Sequence, residues 1–112
     1  MYKYKARLIK VVDGDTVDLM VDCGFNIHIK ERFRLSGINA PEIRIRNKEE
    51  KKKGLEAKEF LMTLLHPYNK ITIHTEKDKK GKYGRYLAEL WVNGQCVNKL
   101  MVGTGHAVEQ NY

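Results

Sequence analysis

Along the first third of the chain, apolar residues recur at every second position, the period of a strand with one buried face. In KARLIKVV, Ala6 and Leu8 alternate with charged residues, and in TVDLMVD, Val17, Leu19 and Val21 share one side. NIHIKERFRL carries Ile27, Ile29, Phe33 and Leu35 at one parity. Glu31 falls on that same parity, which predicts a bulge or a switch of face within a long curved strand. DCGFN, residues 22–26, is the turn between the second and third strands.

The pattern then breaks. Residues 44–54, RIRNKEEKKKG, show no core periodicity and are expected as a mobile, exposed loop. LEAKEFLMTLL places Ala57, Phe60, Leu61, Leu64 and Leu65 on one side at helical spacing, and Pro67 ends that helix. KITIHT is a short strand with Ile71 and Ile73 inward, and EKDKKGK, residues 76–82, a charged loop. YGRYLAELWV is a further strand, closed by the Asn93-Gly94 turn signal. QCVNKLMVG spaces Val97, Leu100 and Met101 as a helix, with Gly103 or Gly105 available to cap it. HAVEQNY is either a short extra strand or an unpaired tail. The order is three strands, a helix, two strands and a short helix. That predicts a mainly β fold with helices: a five-stranded Greek-key barrel of the OB type, with one helix between strands three and four and a short one near the C-terminus.

At 112 residues the chain suits a single domain spanning 1–112, large enough to bury a core without staples. No apolar run reaches the ~20 residues needed to cross a bilayer, so no membrane association is expected. The opening MYKYKARLIK lacks the apolar stretch of a leader, which favours a cytoplasmic, reducing location; removal of a leader stays open. Cys23 and Cys96 are far apart and form no ligand pair, so free thiols are expected. A net charge of +7 points to a polyanionic partner, nucleic acid before an anionic membrane surface.

Three stretches hold candidate chemistry. Asp13 and Asp15 flank Gly14 in DGDT; taken alone this is turn chemistry, and the alternative is a cation site. In RFRLSGINAPE, residues 32–42, two arginines precede a Gly turn and then Asn39, Ala40, Pro41 and Glu42. A hairpin turn centred on Gly24 would set Asp15 opposite Phe33 and beside Arg34, bringing carboxylates, an arginine and an amide to one rim. In KYGRYLAE, Lys82, Tyr83 and Arg85 lead into a strand; Arg can clamp phosphate oxygens and Tyr can stack on a base.

DGDT, RLSGINAPE and KYGRYLAE, in this order and at these separations, resemble the staphylococcal nuclease (thermonuclease) family from about Lys5 to Ala107. The resemblance implies a calcium-dependent phosphodiesterase, an endonuclease-type hydrolase acting on DNA, RNA or both, as a monomer. It implies that Asp15 ligates one Ca2+ and that Asp13 supports the site from behind. Asn39 takes the place of a second ligating aspartate, and Ala40 that of a backbone-carbonyl ligand. Glu42 matches the proposed general base, Arg34 and Arg85 the pair holding the scissile phosphate, and Lys82 and Tyr83 residues contacting a nucleotide phosphate. Tyr112 lies near the place of a tyrosine that stacks on substrate. Asn39 removes one negative charge, which implies weaker or altered metal binding, and Gly81 stands where the family can carry an acid. The family's longer members also continue past Tyr112 into a helical region. The alternative reading is a non-catalytic OB module that binds nucleic acid, which would need basic and aromatic residues but not Asp15, Glu42, Arg34 and Arg85 together. His28, His66, His74 and His106 show no ligand spacing, and Trp91 is expected in the core or half-buried in the sheet.

Overall fold

The computed structural model describes residues 2–66, 70–80 and 85–110. Five strands form the barrel: β1 (Tyr2–Asp13), β2 (Thr16–Asp22), β3 (His28–Leu35), β5 (Ile71–Lys80) and β6 (Tyr86–Val92). Neighbours run β3-β2-β1-β5-β6, and β6 returns to pair in parallel with β3 through Phe33–Tyr86, Arg34–Leu87 and Leu35–Ala88, closing the barrel. Two short strands, β4 (Ile38–Asn39) and β8 (Val108–Glu109), pair antiparallel beside it, and β7 (Gln95–Cys96) folds back to pair antiparallel with the end of β6. Helices α1 (Lys48–Leu65) and α2 (Val97–Gly103) complete a mainly β, OB-like fold. No helix among the described residues is long and apolar enough to cross a membrane.

The alternation read from the sequence is the alternation of the core. Val17, Leu19, Val21, Phe33, Leu35, Ile71, Ile73, Ala88 and Leu90 are all buried in one cluster with Ala57, Leu61, Leu65 and Met101 from the helices. The switch of face lies elsewhere than expected. The β2–β3 ladder runs without a shift from Thr16–Arg34 to Asp22–His28, and Glu31 simply pairs with Leu19. The irregularities are in β1, between Leu8 and Lys10 and between Val11 and Asp13. There the inward set passes from Ala6 and Leu8 to Val11, and the extra residue bends the strand just before the DGDT turn. Glu31 tolerates its parity because the first half of β3 is solvent-exposed, Ile29 included.

The hairpin turn also sits one residue later than expected. Gly24, Phe25 and Asn26 all have positive φ, Asp22 Oδ1 accepts from the Gly24 N–H at 2.8 Å, and Cys23 N–H donates to the Ile27 carbonyl at 2.8 Å. The turn is thus centred on Phe25, and Asp15 lies across from Leu35, whose N–H donates to the Asp15 carbonyl at 2.8 Å. A slip of this size moves the register by two, so every side chain keeps its face.

Residues 48–54 are the first two turns of α1 rather than a loop. Asn47 caps the helix, its Oδ1 accepting from the N–H groups of Glu49 (2.9 Å) and Glu50 (3.3 Å), with both acids in the first turn. The buried stripe is Gly54, Ala57, Leu61 and Leu65. Its first member is a glycine, so the amino-terminal half carries no apolar signal. That glycine is required by packing: a Cβ on Gly54 would lie 2.8 Å from the Glu42 carbonyl oxygen and 2.9 Å from that of Pro41. We expect Gly54→Ala to destabilise the fold by about 1–3 kcal/mol, despite alanine's better helix propensity, and to push the Glu42 segment outward. Chemical denaturation measures the first effect, and equal or higher stability would show that the helix can shift freely. The charged stretch from Glu76 also belongs to a strand, since β5 continues to Lys80; Gly81 and Lys82 lie outside the described residues.

Candidate active site

The DGDT turn, the segment after β4 and α1 meet at one end of the barrel. Gly14 is what lets them meet: a Cβ there would come within 2.7 Å of Ala57 Cβ and 3.0 Å of Ala40 Cβ. Around this contact lie two groups of side chains. The first is a bonded cluster centred on the buried Asp15. Its Oδ1 accepts from the Thr16 hydroxyl at 3.0 Å, and its Oδ2 accepts from the Ala40 N–H at 2.9 Å. Arg34 Nη2 is 3.7 Å from Asp15 Oδ2 and donates to Asn39 Oδ1 at 3.0 Å and to the Ile38 carbonyl at 3.2 Å. Asp15, Arg34, Asn39 and Ala40 are therefore one connected unit.

The second group faces a cleft of about 860 Å³ between β1, the segment from Glu42 to Arg44, and α1. Asp13, Glu42 and Arg85 line it, and Thr16 joins it to the Asp15 cluster. Burial, reinforced by the nearby carboxylates of Asp15 and Glu42, pushes the Asp13 carboxyl above its ordinary value, while Lys58 and Arg44 pull it down. This end of the barrel thus brings carboxylates and cations together. Arg34 is part of the connected cluster rather than of the cleft lining. Lys82, Tyr83 and Tyr112 lie outside the described residues.

The oxygens gathered here suit a hard cation. Asp15 brings a buried carboxylate, Asn39 an amide oxygen, Ala40 a backbone carbonyl, and Asp13 a second carboxylate nearby, all of the donor type that calcium takes. Arg34 Nη2 lies 3.7 Å from Asp15 Oδ2 and 3.0 Å from Asn39 Oδ1, so these two oxygens share one positive charge. Among the described residues, no three His, Cys, Asp or Glu side chains are grouped to hold a metal by themselves. The candidate set depends on the amide and the carbonyl.

Comparison with known proteins fits this arrangement. The family model described as staphylococcal nuclease homologue matches residues 32–112. The chain belongs to the staphylococcal nuclease homologue family. The thermonuclease of Staphylococcus hyicus is 30% identical over 107 residues, covering 95% of this chain and 59% of that protein. Endonuclease YhcR of Bacillus subtilis is 30% identical over 117 residues, covering 94% of this chain and 9% of its own length. An uncharacterized protein of Bacillus anthracis is 31% identical over 104 residues, covering 93% of this chain and 46% of its own. The chain thus spans about half the length of several relatives it matches. The matched family segment holds Arg34, Asn39, Glu42 and Arg85 but begins after Asp13 and Asp15; the alignment to the Staphylococcus hyicus protein covers both.

Within this family member, three features support the site; Asn98 and Asp18 escaped the sequence reading, whereas the short strand β8 is one of the two alternatives read for HAVEQNY, with only its partner unforeseen. Asn98 is buried on α2, its Oδ1 accepting from the Leu90 N–H at 3.0 Å and its Nδ2 donating to the carbonyls of Ser36 (2.8 Å) and Ala88 (3.1 Å). It ties the turn before Asn39 to the barrel. Strand β8 pairs Val108 with Asn39, and Gln110 N–H donates to the Gly37 carbonyl at 2.9 Å, holding the same turn from outside. Asp18 is the third: Arg32 Nε and Nη2 donate to its two oxygens at 2.7 and 3.1 Å. The strand spacing hid this pair, because Asp18 and Arg32 meet only across the β2–β3 ladder.

The hydrogen bond from Arg32 holds the Asp18 carboxyl below its ordinary value. A depressed carboxylate contributes stability above its unfolded pKa of about 3.9, and that stability is lost as pH falls through the lower folded value. Asp18→Asn should therefore cost about 1–2 kcal/mol at neutral pH, with the difference from the parent shrinking in strong acid. Melting curves across pH test this; a difference that stays constant into strong acid would mean the pair does not titrate with folding.

Proposed function

We propose that the chain is a metal-dependent nuclease that hydrolyses phosphodiester bonds of DNA or RNA. The supporting observation is that Glu42 and Arg85 face one cleft whose wall carries Asp13 and Thr16, with Thr16 bonded to Asp15 of the Arg34–Asn39–Ala40 cluster. Asp15, Asn39 and the Ala40 carbonyl would hold Ca2+, with Asp13 behind them. When bound, the ion supplies Lewis-acid polarisation of a phosphoryl oxygen.

The protein's own residues supply the rest. Glu42 is exposed at the cleft and accepts or orients the proton of the attacking water. The water oxygen bonds to phosphorus, the opposite phosphorus–oxygen bond breaks, and the leaving oxygen takes a proton from solvent. Arg34 and Arg85 offset the negative charge that builds on the phosphoryl oxygens. Arg34 is prepared for this, since Asn39 and the Ile38 carbonyl fix its guanidinium at 3.0 and 3.2 Å. Lys82, Tyr83 and Tyr112 would contact the substrate.

Incubation with single-stranded DNA and with RNA, in calcium or in chelator, tests the reading. Cleavage that needs calcium and falls away in chelator is the expected result. Binding without cutting under every metal condition would favour instead a non-catalytic module that holds nucleic acid.

A further inference from the structure

The cleft extends beyond the residues that the hydrolytic reading uses. Besides Glu42 and Arg85 it is lined by Arg32 of β3, by Arg44, by Lys58 of α1, and by Ile9, Met62 and His66. Arg32, Arg44 and Lys58, from three separate segments, thus line the same cleft, with Lys10 of β1 also in its wall. Arg32 is fixed there: Asp18, its carboxylate only 9% exposed, grips Nε and Nη2, while 45% of the Arg32 side chain stays accessible. A pre-set guanidinium of this kind loses little freedom when it meets an anion.

The apolar positions are as informative as the charges. Lys58 and Met62 of α1 and His66, which caps its C-terminus, stand at i, i+4 and i+8, one stripe advancing about 6 Å per step. Met62 is 43% exposed, and Ile9, on the β1 side of the cleft, is 40% exposed. Cations beside accessible apolar side chains match the alternation of phosphate and base along a single strand. In a duplex the base faces are stacked inside, whereas an unpaired base is free to rest on such a surface.

We propose that these residues form a second nucleotide subsite of the cleft, in which Arg32, Arg44 and Lys58 take the phosphate, and Met62 and Ile9 the base, of the nucleotide next to the scissile bond in a single-stranded substrate. Asp18 acts as a positioning residue for Arg32. The inference rests on the nucleic-acid reading above but not on its catalytic step.

Fluorescence anisotropy in chelator with a labelled dinucleotide and a labelled single-stranded octanucleotide tests it. The parent should bind the octanucleotide more tightly than the dinucleotide and more tightly than a duplex of the same length. Arg44→Gln with Lys58→Gln should weaken the octanucleotide on the order of tenfold, weaken the dinucleotide far less, and flatten the salt dependence by about 0.7 per cation removed. Arg32→Gln is combined with Asp18→Asn so that no buried carboxylate is left unpaired, with folding checked by melting; it should reproduce the length-selective loss. Met62→Asn should weaken the octanucleotide without altering the salt slope. Equal losses on both probes, or an unchanged slope in the Arg44/Lys58 variant, would overturn the subsite. Failure of the catalytic reading is seen separately: a protein that cuts neither DNA nor RNA yet shows this length and salt pattern keeps the subsite and loses the hydrolysis.

Discussion

Replacing either Arg34 or Arg85 by lysine should lower turnover on DNA or RNA by about 10²–10³-fold, with a much smaller loss of binding. Lysine keeps the positive charge that draws the polyanion, so ground-state affinity is largely preserved. It lacks the planar fork that meets two phosphoryl oxygens at once, and that contact strengthens as charge builds in the transition state. The two sites should differ in one respect. Arg34 Nη2 is held by Asn39 and the Ile38 carbonyl and lies beside Asp15, so Arg34→Lys also loosens the turn around Asn39 and lowers the melting temperature. Arg85 lines the cleft and should affect rate more than stability. Single-turnover cleavage, together with binding in chelator, separates the two quantities. Parent-like turnover in both variants would remove the arginine pair from the chemistry.

Asn39→Asp should tighten calcium binding on the order of tenfold, because ligand charge count tunes affinity at such sites. The structure bears on how much the new charge would cost without metal. Asn39 Oδ1 and Asp15 Oδ2 both approach Arg34 Nη2, so a carboxylate at position 39 would face Asp15 across a guanidinium. Position 39 is also exposed, and solvent screens the repulsion. The metal-free variant should accordingly stay within about 1 kcal/mol of the parent, and calcium should raise its melting temperature more than it raises the parent's. Asp15→Asn should work in the opposite direction and abolish measurable calcium binding, since it removes the buried carboxylate to which Thr16 and Ala40 are both bonded. Calorimetric titration and melting with and without calcium measure both effects. An unchanged calcium affinity in Asn39→Asp would mean that position 39 is not a ligand.

Much of this protein could be read from its pattern of residues, because strand alternation is a local property. The inward positions of β2, β3, β5 and β6 follow from a period of two, and the apolar stripe of α1 from Ala57 to Leu65 follows from a period of 3.6. The order of strands and helices then restricts the architecture to a small barrel. Asp15, Arg34, Asn39 and Glu42 were also accessible, since each lies in a short stretch whose spacing resembles a known family.

What escaped the sequence depends on approach between distant segments. The amino-terminal half of α1 was invisible because its buried position is Gly54, chosen for the closeness of the Pro41 and Glu42 carbonyls and not for hydrophobicity. The bend in β1 arises from register against β2, which no single strand encodes. The Asp18–Arg32 pair, the Asn98 bridge and the β4–β8 pairing each join residues that are ordinary in their own neighbourhoods. Local periodicity and side-chain identity are enough for the barrel, its inward faces and the residue types available for phosphate and cation chemistry. Packing between distant segments is what joins Asp15, Arg34, Asn39 and Ala40 in one bonded cluster and places Glu42 and Arg85 in a cleft with Arg32, Arg44 and Lys58. Those groupings depend on how closely the chain packs at Gly14 and Gly54, where the lack of a side chain sets the distance.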